Sequence, residues 1–157
     1  MDPKRSSDSA TEMVQVVLPN DANPLGYILG GTVMHLIDIA AAIASFRHAR
    51  SRVVTAAVDD LVFLHPIKVG DLIILQAHVT CTFSTSLEVQ VDVFSEEALT
   101  GRRRQTSRAF LTFVAVDEAG GRVAVPPLLV ETDEDRRVCE QAHQRREGRL
   151  RRRTEAL

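Results

Sequence analysis

Only two cysteines, Cys81 and Cys139, occur in the chain, and neither lies in a C-x-x-C or Cys/His spacing. That argues against a zinc site and against the disulfide framework of a small secreted domain, so both are expected as reduced, structural thiols. Excess charge is missing as well. A formal net charge of -2 is not that of a general nucleic-acid-binding domain, which needs a strongly basic face. From Met1 to Thr11 the chain is polar and charged, so no secretory signal is read. The longest apolar stretch, Leu36 to Phe46, is interrupted by Asp38 and Ser45 and is too short to cross a bilayer. No membrane insertion is expected, and the cytoplasm is the expected compartment. No Gly-Lys-Ser/Thr follows a glycine-rich loop, and no serine occupies a G-x-S-x-G elbow, which excludes both of those site types.

What remains is the pattern of one ordinary globular domain, 45% apolar and 25% charged over 157 residues. Residues 1–12 are polar and are expected as a mobile leader. A short strand, Met13 to Leu18, precedes the turn-rich run Pro19 to Gly26. From about Gly31 to His48 the spacing predicts one helix, proline-free and apolar on nearly every face, hence buried. It closes on Arg47, His48, Arg50 and Arg52, cations suited to the negative end of the helix dipole. Strands are then expected at Val53–Phe63, Leu72–Phe83, Leu87–Phe94 and Thr106–Val116, the third alternating with period two. The turn Asp117 to Gly121 suggests a closing hairpin to Arg122–Val125. Residues 131–157 read as a charged surface helix and tail, leaving 13–130 as the domain. A helix followed by consecutive strands implies an α+β fold with an antiparallel sheet around the helix.

Asp38 is the residue that does not fit. It is the only acid between Gly30 and Arg52, in the middle of the most apolar helix. A carboxylate there needs a salt partner, an interface with water, or a function, and perturbed carboxylates gather at active sites. Gly30 and Gly31 open the helix. They serve either as a tight turn or as free amides able to hold a developing oxyanion. Gly30 and Asp38 lie roughly 12 Å apart along one helix. Both can act on a single carbon only if Asp38 comes from a second subunit.

Asn23-x-x-Gly26-x-x-x-Gly30-Gly31-x-x-Met34-x-x-x-Asp38 resembles the loop-and-helix motif of hot-dog acyl-CoA thioesterases, in the cytosolic acyl-CoA hydrolase branch. Val53-Val54-Thr55 through Asp71, Ser84-Thr85-Ser86, and Arg108 to Val116 resemble the family's later segments, so the likeness runs from Val14 to Leu128. It implies a sheet wrapped around the central helix, edge-to-edge dimers, a trimer of dimers in many members, and sites at the dimer interface. Asn23 and Asp38 would come from opposite subunits. Leu29 departs from the aromatic or histidine of close relatives, which leaves the mouth of the site open.

The expected activity is hydrolysis of a fatty acyl-CoA to free fatty acid and coenzyme A, with acyl-CoA as the partner and no separate cofactor or metal. Gly30 or Gly31 would polarise the carbonyl, Asp38 would act as general base or nucleophile, and Asn23 would orient water or thioester. The resemblance places Thr85 and Ser86 near the pantetheine or nucleotide end. Arg102, Arg103, Arg104 and Arg108 are candidates for the phosphates, which suit arginine. His35 shares a helix face with Asp38 and either tunes it or is structural. The tail cluster Arg145 to Arg153 reads as a solvated helix. A non-catalytic acyl-CoA sensor, a hydratase or dehydratase using His35, and an oligomeric scaffold are the competing readings.

Overall fold

The computed structural model describes residues 1–155; residues 156 and 157 of the expected tail lie outside them. The elements are β1 (Thr11–Val16), α1 (Gly30–Ala49), β2 (Arg52–Phe63), β3 (Leu72–Thr82), β4 (Ser86–Glu96), β5 (Arg103–Val116) and α2 (Asp133–Glu155). The five strands form one antiparallel sheet in the order β1-β3-β4-β5-β2. The expected last hairpin strand reduces to an isolated bridge, Val116 with Arg122, because the chain leaves the β5 edge after Val123 and the Val125 amide donates to the Ser84 carbonyl at 3.1 Å instead.

Alternation sorts the sheet into two faces. Ala109, Leu111, Phe113 and Ala115 of β5 and Leu87, Val89, Val91 and Val93 of β4 are buried in the core that holds α1. The intervening residues, Glu88, Gln90, Asp92, Arg108 and Phe110, therefore face the other way. Helix α1 presents Val33, Leu36, Ile37, Ala40, Ala41 and Ala44 to this core. It is not buried all round, however. Met34 and Phe46 are nearly half exposed, and with Gly31, His35 and Asp38 they form a stripe that the chain's own sheet does not cover. Arg50 ends the helix in the left-handed region, with φ 49°.

Three expectations are corrected on the outer face. Residues 4–11 pack against the sheet. The Ser6 hydroxyl donates to the Val79 carbonyl at 2.6 Å, and the Val79 amide donates to Ser9 Oγ at 3.0 Å. These serines satisfy backbone groups beside the bulge between Val79 and Cys81. Secondly, Cys81 and Cys139 are joined as a disulfide. Thirdly, α2 is docked rather than merely solvated, because its basic residues meet acids that the sheet points outward. Arg145 makes a bidentate pair with Glu88, Nε to Oε2 at 2.9 Å and Nη2 to Oε1 at 2.7 Å. Glu88 is 1% exposed and also accepts from Thr80 Oγ1 at 2.7 Å. Arg145 covers the Phe110 ring at 3.6 Å, and Arg149 pairs with Asp59 at 2.7 Å. Among the described residues no helix is long and apolar enough to cross a membrane.

Candidate active site

The loop before α1 is folded by Asn23. Its Oδ1 accepts from the amides of Leu25 and Tyr27 at 3.0 and 3.1 Å, and its own amide donates to the Tyr27 carbonyl at 2.8 Å. The Asn23 side-chain oxygen is thus committed to the turn, which leaves its NH2 as the end able to donate to a ligand. Gly26 sits at φ +84°, where a side chain would be strained. Leu29 precedes the helix without a side-chain cap, so the amides of Gly30 and Gly31 have no partner from that source. A Cβ on Gly30 would touch the Phe63 ring at 3.4 Å, whereas around Gly31 there is open space.

Two cavities meet these residues. One, of about 300 Å³, is lined by Asn23, Tyr27, Gly30, Phe63, His65 and Ser107 among others. The Ser107 hydroxyl is buried there and has no hydrogen-bond partner among the described residues. The other, of about 310 Å³, is lined by Gly31, Met34, His35, Asp38, Thr55 and Val58 among others. Thr55 donates its hydroxyl to Asp38 Oδ1 at 2.6 Å. Asp38 is half-buried in the single chain, because the stripe around it is uncovered. Asn23 and Asp38 line cavities that have no residue in common.

The six residues expected to contact coenzyme A fall in separate places within one chain. Arg102 and Arg104 line a third cavity, of about 480 Å³, with Tyr27, Pro66, Lys68 and Thr100. It shares Tyr27, Pro66 and Ile67 with the Asn23 cavity, so the two adjoin. Arg103 pairs with Glu96 at 3.5 Å. Arg108 is on the outer face, its Nε 2.6 Å from Asp92 Oδ1. Thr85 and Ser86 form the β3–β4 turn beside Val114 and Ala115, at the end of the sheet where α1 finishes. Thr55, His65 and Ser107 were not singled out from the sequence. A threonine within Val53-Val54-Thr55 has the signature of a strand former, and only its bond to Asp38 distinguishes it.

Comparison with known proteins places this arrangement. The family model described as "Thioesterase superfamily" matches residues 25–101. An uncharacterized acyl-CoA thioester hydrolase of Bacillus subtilis is 41% identical over 119 residues, 76% of this chain and 69% of that protein. The chain belongs to the thioesterase superfamily. Its sheet around one long helix is the hot-dog fold, and it superposes on a solved apo-hexameric acyl-CoA thioesterase with TM-score 0.91 at 43% identity, covering 97% of both chains. The acyl-CoA hydrolase of Staphylococcus aureus, solved with butyryl coenzyme A, coenzyme A and coenzyme A disulfide, gives 0.88 at 36% identity over 97% of this chain and 93% of that one. Variants of that hydrolase have been solved in which an asparagine, an aspartate and a threonine are each replaced by alanine. Those three positions are separated by 15 and 17 residues, the same intervals that separate Asn23, Asp38 and Thr55 in this superfamily member. Against the longer mammalian enzymes the chain spans less, 25% of mouse acetyl-coenzyme A thioesterase and 37% of human cytosolic acyl coenzyme A thioester hydrolase.

Proposed function

We propose that the chain hydrolyses the thioester of fatty acyl-CoA to free fatty acid and coenzyme A at a site completed by two subunits. The observation that carries this reading is the separation of Asn23 and Asp38 into different cavities of one chain, beside an exposed apolar stripe on α1. A second copy laid against that stripe would bring its Asn23 and helix N-terminus to this chain's Asp38. Dimers, or a trimer of dimers, are the expected working assemblies.

In that site the thioester oxygen is held by the amide of Gly30 or Gly31, where helix amides lack intrahelical partners and the dipole favours developing negative charge. Asn23 donates from its NH2 to the carbonyl or to the attacking water. Asp38 of the other subunit removes a proton from that water or attacks the carbonyl carbon itself. Thr55 holds Oδ1 of Asp38, leaving Oδ2 for the reaction. The coenzyme A thiolate departs, and water supplies the second oxygen of the fatty acid. Arg102 and Arg104, in the cavity that adjoins the Asn23 loop, would meet the phosphates, and Arg103 would join them only by releasing Glu96. Arg108 contributes only if it exchanges Asp92 for the ligand, and Thr85 and Ser86 only if the nucleotide reaches the partner's far end. The fatty acid and coenzyme A leave without a separate cofactor, and the cytoplasm supplies acyl-CoA.

Release of free coenzyme A from acyl-CoAs of graded chain length tests the proposal. Turnover by the wild type, lost in Asp38→Ala with assembly intact, is the expected result. Binding of acyl-CoA without turnover at any chain length would instead mark a sensor.

A further inference from the structure

Cys81 lies on the outer face of β3 beside the bulge, and Cys139 meets it from α2. His143 is four positions after Cys139, so the two share a helix face. The ligand atoms of Cys81, Cys139 and His143 all lie within 4.8 Å of one another. Phe83 packs edge-on against the His143 ring, 5.0 Å between centroids, and restrains it.

We propose that, once its cysteines are reduced, the chain binds a zinc ion through Cys81, Cys139 and His143. A small-molecule thiol or phosphine supplies two electrons, and two protons complete the opening of the bridge to two thiols. Zinc then displaces both thiol protons, and the two thiolates balance its charge. The resulting neutral centre suits the buried Cys81 sulfur between α2 and the sheet, where a net charge would be costly. Arg146, stacked 4.9 Å from the Phe83 ring centroid, adds positive charge that favours thiolate. The pairs Arg145–Glu88 and Arg149–Asp59 hold α2 without help from the sulfurs, so opening the bridge leaves the three ligands assembled. His143 is exposed, which leaves the fourth tetrahedral position to water. Thiolate and imidazole select zinc over magnesium or calcium. This revises the expectation drawn from sequence, where a separation of 58 residues hid Cys81 from its partners.

The test is cobalt titration of the reduced, metal-free full chain, followed by zinc. The wild type is expected to take up one cobalt per chain with thiolate-to-cobalt charge-transfer absorption, which zinc abolishes. Cys139→Ser should lose the band. His143→Ala, an exposed position where the fold is expected to survive by circular dichroism, should lose tight uptake while both thiols still titrate. Absence of the band in the reduced wild type, or an unchanged band in His143→Ala, would overturn the proposal.

Discussion

At the scale of single residues, the proposed function rests on a carboxylate and what holds it. Asp38 has one oxygen engaged by Thr55 at 2.6 Å and the other available. Asp38→Asn keeps the shape and removes the base, so kcat should fall by about a hundredfold to ten-thousandfold with the assembly unchanged. Thr55→Val removes a hydrogen bond to a charged group, worth about 1.5–3 kcal/mol, and should slow turnover roughly tenfold to a hundredfold. Rescue by Thr55→Ser would separate orientation from packing. His48 supplies a pH signature elsewhere. Its ring is fully buried, and burial lowers its pKa below the ordinary 6.5 despite the contact of Nε2 with the Pro126 carbonyl. The unfolded chain therefore takes up a proton near pH 6.5 that the folded chain refuses. Stability should be full above that value and fall as pH drops below it. Thermal unfolding from pH 8 to 5 should show the loss, and a His48→Gln variant should show a shallower one.

At the scale of elements, what was legible and what was not divide along chemical lines. Helix α1 was legible because a proline-free Ala/Ile run has no other home, and its observed bounds, Gly30–Ala49, differ by one residue at each end. Strands β2 to β4 announced themselves through β-branched residues and alternation. The start of β5 did not, because exposed Arg103 and Arg104 and half-buried Gln105 are polar residues that happen to pair with Glu96, Ser95 and Phe94. Of the candidate site, Gly30, Gly31 and Asp38 stood out in the sequence as paired glycines and a misplaced acid, whereas Asn23 looked like a turn-former and was singled out only by the family resemblance. The docking of α2 was hidden, since its anchors are an arginine and a glutamate that look solvated until they are seen facing each other. Removing Arg145 would leave Glu88 buried and unpaired, so Arg145→Ala should cost about 3–5 kcal/mol, read as a lower denaturant midpoint. Replacing both, Arg145→Met with Glu88→Leu, should recover most of that loss.

At the scale of the whole molecule, a single copy leaves apolar surface open. Among the described residues, strand β2 ends the sheet with an unpaired edge of twelve residues, carrying exposed Val54, Val58 and Val62. Met34 and Phe46 on α1 are apolar and nearly half exposed as well, and monomers rarely leave such surfaces open. Met34→Asp should therefore yield smaller particles by analytical ultracentrifugation, with circular dichroism near wild type and turnover lost alongside assembly.

The most direct measurement mixes subunits. Asn23→Ala and Asp38→Ala chains, each inactive alone, are unfolded together and refolded as a mixture. If each site takes Asn23 from one copy and Asp38 from the other, half the dimers are mixed and each has one intact site. Activity should then return to about a quarter of wild type. A mixture whose hybrids are verified by mass tag yet which remains inactive would contradict a shared site and place the whole of the chemistry within one chain.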